Sequence, residues 1–137
     1  MKPKLRIRQA AAVLGVSDDT IRRWIDGGQL TAVTDDTGRR AVDGGELARR
    51  AREIAAESPI RELDQTPGRQ SLRNHLTGIV TAITVDKVMA QVDIQAGPFR
   101  VVSLISAEAV RELELEVGSL ATAVVKATNV SVERTLS

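Results

Sequence analysis

Residues 8–28 read RQAAAVLGVSDDTIRRWIDGG, a sequence with two short helical periods and a Gly-Val-Ser junction between them. Gly15 suits a helix C-terminus, because glycine adopts the left-handed backbone conformation required there. Ser17 suits a helix N-terminus, because its hydroxyl can accept a hydrogen bond from a free N–H of the first turn. Two such helices joined by a short glycine-containing turn are typical of a helix-turn-helix, whose second helix enters the DNA major groove.

The apolar residues of this region recur at helical spacing, as expected for helices that pack on a shared core. Ala11, Leu14 and Val16 form an apolar stripe along the first helix and its end. Ile21 and Trp24 share one face of the second helix. We therefore expect Trp24 in the core and not as an aromatic that stacks on bases.

A hairpin and a third helix are predicted to follow. β-prone segments lie on both sides of Asp35-Asp36-Thr37-Gly38, which is typical of a hairpin turn, and we interpret this hairpin as a wing. GGELARRAREIAAE, residues 44–57, has helical periodicity. The arginines of this third helix are expected on a solvated face: Arg49, Arg50 and Arg52.

The period then changes from helical to strand-like. Residues 58–70, SPIRELDQTPGRQ, are broken by two prolines and a glycine and are interpreted as a linker. Four β-branched runs follow, HLTGIVTAITV, KVMAQVDIQ, FRVVSLI and SLATAVVKATNVSVE, with one short helix from Ser106. Four or five short strands and one helix predict a small Greek-key barrel that resembles an OB-fold.

The expected fold class is α+β. A winged helix-turn-helix occupies residues 1–57, a linker residues 58–70, and a small OB-like β-barrel with one short helix residues 71–137. A chain of 137 residues with 42% hydrophobic side chains can bury one ordinary core or two very small ones, which excludes a large multidomain enzyme.

Composition excludes several further classes. Cysteine is absent and His75 is the single histidine, so a disulfide framework, a thiol nucleophile and a Cys/His zinc site are excluded. We expect His75 to be structural or exposed. Two aromatic residues, Trp24 and Phe99, weigh against a base-stacking platform for single strands. No segment approaches the roughly 18 apolar residues of a membrane span, so a cytoplasmic protein without a membrane partner is predicted.

The charges are balanced overall but divided unevenly along the chain. Lys and Arg number 19 against 18 Asp and Glu, which excludes a protein that coats nucleic acid through bulk positive charge. Residues 1–70 hold 13 basic and 11 acidic side chains, whereas residues 71–137 hold 6 and 7. A contact with a polyanion is therefore expected in the first half.

The first half resembles the MerR-type and excisionase-type winged helix-turn-helix family over residues 5 to about 55. IRQAAAVLGVSDDTIRRWIDGGQL and the Gly-Arg-Arg of the wing carry the resemblance, although DTGRRAV departs from the longer wing of the family. The resemblance implies binding to double-stranded DNA. The alternative is a set of solvated charges on a helix that binds protein. The candidate DNA contacts are Ser17, Thr20, Arg22 and Arg23 of the second helix and Arg39 and Arg40 of the wing.

The second half resembles the molbindin (Mop) or TOBE domains through three segments in order, SLRNHLTGIV, ISAEAVRELELEVGS and AVVKATNVSV. The resemblance implies that molybdate or tungstate is bound between subunits. Matching positions carry this role to Ser71, Arg73, Ser106 and Lys126, with main-chain amides near Leu72 and Ala127 as further donors. Leu72 stands where the family often has alanine, and Ser106 where threonine is common.

The chemistry of these residues suits a tetrahedral dianion, which needs several donors and positive charges that converge on it. Each residue also has a plain structural alternative. Ser106 can be a helix N-cap, Lys126 a solvated edge charge, Arg73 part of a turn or interface, and Ser71 a linker serine. Their combination at family positions favours oxyanion binding.

The sequence therefore predicts a transcription regulator that binds DNA and senses molybdate or tungstate, without a cofactor or a metal other than the oxyanion. Specific binding by so small a DNA-binding domain requires a homo-oligomer, at least a dimer, with a trimer or hexamer through the molbindin domain left open. The alternative is a cytoplasmic protein that stores or buffers the oxyanion. An enzyme is the least supported class, because no nucleophile with an activating base and no acid-base pair emerges.

Overall fold

The structure is a computed structural model that describes residues 2–65 and 73–135, with Arg73 described in its backbone alone. The chain divides into two compact units, one that ends at Ser58 and one that begins at Pro59. Their elements are mixed helix and strand, so the α+β class predicted from the sequence is confirmed. None of the helices in the described part of the chain is long and apolar enough to cross a membrane.

The first unit contains three helices and a three-stranded antiparallel sheet. Strand β3 is central, with β1 and β2 on its two sides. Strand β1 was not predicted from the sequence. The elements, in chain order, are β1 (Lys4–Arg6), α1 (Ile7–Leu14), α2 (Asp18–Asp26), β2 (Ala32–Thr34), β3 (Arg40–Asp43) and α3 (Gly44–Ala56).

The predicted helix boundaries of the first unit are confirmed. Gly15 has φ 69° and ends α1 in the left-handed conformation. The Ser17 hydroxyl accepts a hydrogen bond from the Thr20 N–H at 3.1 Å and caps α2. Asp43 caps α3 in the same way, since its carboxylate accepts from the Glu46 N–H at 3.0 Å.

The core of the first unit lies between the helices and β3. Trp24 and Ile25 pack against its edge. Trp24 also lies beneath the guanidinium of Arg50, 4.6 Å from the ring centroid, and the Arg50 Nε is buried. The expectation that Arg50 lies on a solvated face is therefore wrong, because it covers the tryptophan. The buried residues of this core cluster are Ala10, Ala11, Ile21, Leu30, Val42 and Leu47.

The second unit is built on a four-stranded antiparallel sheet in the order β6-β5-β4-β7. Three consecutive strands are joined as hairpins, and the fourth returns to lie beside the first, which is the Greek-key order predicted from the sequence. The sheet curls into a half-barrel. Its elements are β4 (Arg73–Val85), β5 (Met89–Ala96), β6 (Phe99–Ser106), α4 (Ala107–Glu112) and β7 (Leu120–Lys126).

The concave face of this sheet holds the second core, which α4 closes. Val80, Val92 and Ile94 are buried there with Val110 of α4. Gly78 lies at a close crossing of β4 over β5, where an added Cβ would stand 2.1 Å from the Gln95 carbonyl oxygen.

Two segments of the second unit differ from the sequence predictions. Residues 59–63, within the predicted linker, form a 3₁₀ helix, Pro59–Leu63, that packs against β4. The last predicted strand ends early: β7 stops at Lys126, a 3₁₀ turn Ala127–Asn129 follows, and residues 130–135 belong to neither helix nor strand. The apolar residues of that tail remain exposed, Val132 to 90%, so no sheet or core position holds them as a strand.

Candidate functional site

The N-terminal turn of α2 carries a chain of hydrogen-bonded side chains. The Ser17 and Thr20 hydroxyl oxygens lie 3.0 Å apart, and the Arg23 Nη2 donates to the Thr20 Oγ1 at 3.1 Å. Both contacts are exposed and join residues three positions apart. Three candidate DNA contacts therefore lie together on one turn-and-a-half of α2, where side chains can exchange these bonds for a base edge or phosphate.

The same helix also carries negative charge. Asp18 and Asp19 stand in its first turn, where they interact favourably with the helix dipole. The Arg22 Nη1 contacts the Asp19 Oδ1 at 3.2 Å, and both side chains are at least half exposed. Such a pair contributes little stability, so Arg22 is available for an external anion.

Asp35 organises the turn of the wing between β2 and β3. Its Oδ1 accepts hydrogen bonds from the Thr37 N–H at 2.9 Å, the Thr37 hydroxyl at 2.7 Å and the Arg39 N–H at 2.9 Å. Its Oδ2 accepts from the Arg6 Nε at 3.3 Å. These bonds, the Thr37 hydroxyl first, hold the pKa of Asp35 far below its ordinary value. The carboxylate thus stays ionised and fixes the turn.

The two wing arginines follow directly from this turn. Arg39 is exposed and is anchored to Asp35 through its backbone N–H and carbonyl. Arg40 begins β3, and its Nη2 lies 4.0 Å from the Asp26 Oδ1, a distant and exposed pair. Both arginines are exposed. The sequence located the arginines but gave no sign that Asp35 and Arg6 position them.

In the second unit, β4 and β7 bring two distant basic residues together. Arg73, the first residue of β4, lies opposite Lys126, the last residue of β7, in the antiparallel register. The Asn74 side-chain amide donates to the Val125 carbonyl at 3.3 Å and fastens the two strand ends. Ala127 follows in the 3₁₀ turn. Ser71 and Leu72 lie outside the described residues.

Ser106 lies at the other end of the same sheet. It ends β6 opposite Met89, and its hydroxyl caps α4 by accepting from the Ala109 N–H at 3.0 Å. Roughly 40 Å of extended chain in β4 separates that end from Arg73. A single copy therefore brings Arg73, Lys126 and Ala127 together but does not bring Ser106 to them. As a cap, the Ser106 hydroxyl accepts one bond and keeps its own proton to donate.

His75 makes a contact that the sequence did not predict. Its Nδ1 lies 2.9 Å from the Asp64 Oδ2, and both side chains are less than one-fifth exposed. A cleft of about 540 Å³ lies beside this contact, between the 3₁₀ helix and the β5–β6 hairpin. The residues with metal-ligating side chains form no group of three in the described part of the chain.

These features define a class: a protein with a winged helix-turn-helix unit followed by a small Greek-key sheet whose strand ends carry basic residues. Residues 6–41 match the model of the MerR family regulatory proteins, and residues 70–132 match the model of the TOBE domain. The chain therefore joins a MerR-family region to a TOBE domain.

The chain is also similar to three solved structures. A molybdate-binding protein from Sporomusa ovata shares 33% identity, over 48% of this chain and 98% of its own, with a TM-score of 0.46. MopII from Clostridium pasteurianum shares 37% sequence identity, over 48% of this chain and 100% of its own, with a TM-score of 0.45. The cytoplasmic molybdate-binding protein ModG shares 40% sequence identity, over 47% of this chain and 46% of its own, with a TM-score of 0.43. A comparison with proteins of curated function found no match.

Proposed function

We propose that this protein is a cytoplasmic transcription regulator that binds double-stranded DNA through its first unit and molybdate or tungstate through its second. The MerR-family match supports the first role and the TOBE match the second. The observation that supports an anionic ligand is the pairing of Arg73 with Lys126, two basic residues that are distant in sequence and directly opposite in the sheet. No catalytic step is part of this role.

The proposed oxyanion site combines charge with hydrogen-bond donors. Arg73 and Lys126 would supply two positive charges for a dianion. Neutral hydrogen-bond donors would come from the main-chain amides near Leu72 and Ala127 and from the Ser71 hydroxyl. Ser106 completes the set from a second copy, because in one copy it stands at the far end of the sheet. A homo-oligomer, at least a dimer, is therefore part of the proposal.

The proposed DNA-binding surface consists of the start of α2 and the wing. Ser17, Thr20 and Arg23 lie together and would contact base edges or phosphates, with Arg22 beside them. Arg39 and Arg40 would contact the backbone or minor groove. Because acidic residues share the first turn of α2, bulk attraction to DNA is reduced, and affinity depends on specific contacts.

The ligand is tested by isothermal titration of the full chain with sodium molybdate, tungstate and sulfate. We expect binding of molybdate or tungstate, and a loss of affinity of at least about tenfold in Lys126→Ala, since one charge of the site is removed. Lys2→Ala, which removes an exposed lysine of the other unit, is the matched control and should bind normally. If no binding is detected with any of the three oxyanions, the proposal that the second unit binds molybdate or tungstate is refuted.

The DNA role is tested by selecting a binding site from random duplexes and measuring affinity against salt concentration. Arg39→Ala should weaken binding and reduce the salt slope by about one ion, whereas Arg52→Ala on α3 should change neither. A chain that binds molybdate and shows no preferred duplex is instead the storage or buffering protein.

A further inference from the structure

The last described residues of the second unit form an exposed segment that has the sequence of a strand. We call residues 130–135 the tail segment. Every residue of it is exposed, and Val130 has φ −102° and ψ 120°, the backbone conformation of a strand. Val130 and Val132 alternate with polar residues, as in a strand with one apolar face. Within the described residues no strand pairs with the tail segment.

Strand β6 is an edge strand whose outer side is open in the part of the chain that the structure describes. It pairs with β5 alone and in a regular register. Natural edge strands are protected by lysine, proline or a bulge, because their free N–H and C=O groups otherwise pair with another chain. From Val101 to Ser106, β6 has none of these protections. Its Val102 and Leu104 side chains share one face and are 46% and 68% exposed.

An antiparallel pairing of the tail segment with β6 of another copy matches the apolar residues of both. When Val130 of one copy lies opposite Leu104 of the other, Val132 lies opposite Val102, and both pairs are on the same face. The pairing removes apolar surface from water that one copy leaves exposed, above all Val132, which is 90% exposed. The same ladder provides partners for the backbone groups of the tail segment and of the open edge.

The direction of the pairing decides which other residues the two copies bring together. In the antiparallel direction the tail segment reaches β6 from the end at Ser106, which is about 7 Å of strand from Leu104. Lys126 precedes Val130 by four residues, across a short 3₁₀ turn. The pairing therefore brings Lys126 of one copy to the Ser106 end of β6 in the other. In the parallel direction Lys126 would lie at the opposite end, beyond Phe99.

We infer that the tail segment of each copy adds as an antiparallel strand to the open edge of β6 in another copy, and that this exchange brings Ser106 and Lys126 into one oxyanion site. The pairing itself rests on the exposed tail segment and the open edge, and only its role in the oxyanion site rests on the proposed function. The separation of Ser106 from Lys126 within one copy is then the result of a site that two copies share.

Engineered cysteines test the pairing directly, because the chain has no cysteine of its own. Full-length chains with one cysteine each are mixed in equal amounts and oxidised. Peptide mass mapping then measures the disulfide between two different positions, which forms only between copies. We expect Val130→Cys with Leu104→Cys, and Val132→Cys with Val102→Cys, to give at least about fivefold more disulfide than Val130→Cys with Val13→Cys, because only paired strands hold the Cβ atoms within bonding distance.

The control position Val13 lies on α1 of the first unit and is as exposed as Leu104, at 68%. A disulfide yield no higher than that of the control pair refutes the strand exchange. Predominant disulfides of Val130→Cys with Val102→Cys and of Val132→Cys with Leu104→Cys show the parallel direction, and they also refute it.

A further variant tests whether the exchange completes the oxyanion site. Val132→Asn replaces a side chain that one copy leaves exposed, so it should leave the folding of the copy unchanged. It should weaken association at least about fivefold in sedimentation analysis, because an apolar contact between copies is lost. The molybdate affinity, titrated at a protein concentration near the association Kd, should fall with it. Val13→Asn is the matched control and should change neither quantity.

The strand exchange and the proposed function fail in different ways. If the wild type binds molybdate but the tail disulfides do not exceed the control, the exchange is refuted and the proposed function stands. If the disulfides form but titration detects no oxyanion binding, the exchange stands and the proposed ligand is refuted. If Val132→Asn weakens association and leaves the molybdate affinity unchanged, the role of the exchange in the oxyanion site is refuted.

Discussion

Gly78 is the point at which the sheet of the second unit tolerates no side chain. A Cβ there would stand 2.1 Å from the Gln95 carbonyl oxygen and 2.9 Å from the Ala96 Cα, and both atoms belong to the backbone of β5. A backbone cannot yield as a flexible side chain can. The absence of a Cβ at Gly78 therefore allows β4 to cross β5 closely and the sheet to curl.

Gly78→Ala should destabilise the second unit by at least about 2 kcal/mol, because the methyl group forces two strands apart. Denaturant unfolding followed by circular dichroism measures this. Gly97→Ala is the control: a Cβ there meets no atom within 4 Å, and its φ of 57° should cost only about 1 kcal/mol. Equal losses in the two variants would contradict the close crossing.

Asp93 is a second residue whose surroundings decide its behaviour. It is 8% exposed, and its carboxylate accepts from both the Nε and the Nη2 of Arg100, the former at 2.8 Å, and from the Gln91 amide at 3.1 Å. These bonds, Arg100 first, lower the pKa of Asp93 below its ordinary value of 3.8.

Because the pKa of Asp93 is lowered on folding, its stabilising contribution is complete above the ordinary value and is lost as the pH falls through the folded value. Thermal melts of the wild type and Asp93→Asn should thus differ most near neutral pH, and the difference should shrink below about pH 3.8. In an Arg100→Met background, the difference in melting temperature between chains with and without Asp93→Asn should be smaller, because the main donor to the Asp93 carboxylate is removed. A difference that is independent of pH would show that the ionised carboxylate contributes nothing.

At the scale of elements, the wing depends on one aspartate. Asp35→Ala removes the acceptor for three hydrogen bonds that shape the turn before Arg39. We expect DNA affinity to fall roughly tenfold through loss of preorganisation, with molybdate affinity unchanged. Asp36→Ala is the matched control, since it removes the same charge one residue further along in an exposed position. Fluorescence anisotropy with the selected duplex measures both, and equal affinities would refute the positioning role.

Elements whose signals are local were predictable from the sequence. Gly15 and Ser17 end one helix and begin the next through bonds to their own neighbours, and the β-branched runs of β4 to β6 are visible in the chain as strands. Elements that depend on a distant partner were not. Strand β1 exists because β3 pairs with it, and the 3₁₀ helix Pro59–Leu63 packs against β4, whose His75 lies 2.9 Å from Asp64.

The candidate sites follow the same rule. The motifs singled out Ser106 and Lys126 as candidates, because their residue types and order are visible in the chain. The opposition of Arg73 and Lys126, and the distance of Ser106 from both, are properties of the sheet register. The contact of Arg50 with Trp24 was not predicted either, because Trp24 lies on another helix and the helical spacing of α3 says nothing about it.

For the whole molecule, the separation of Ser106 from Lys126 predicts complementation between copies. Ser106→Ala and Lys126→Ala should each bind molybdate weakly as homo-oligomers. A mixed dimer contains one site with both residues intact and one with both replaced. Equal mixing after co-refolding should therefore restore about one-quarter of the wild-type sites, because half of the dimers are mixed. Isothermal titration gives the stoichiometry, and a mixture without restored sites would indicate that each site is formed within one copy.

The pairing of β1 with β3 has a practical consequence for handling the protein. The Pro3 carbonyl accepts from the Gly44 N–H at 2.9 Å, the Lys4 Nζ reaches the Thr34 carbonyl at 3.0 Å, and Arg6 contacts Asp35. The residues before α1 are thus part of the wing. A fragment of the first unit trimmed to start at Ile7 would lose all three of these contacts, so a fragment made to study the proposed DNA binding should retain Pro3, Lys4 and Arg6.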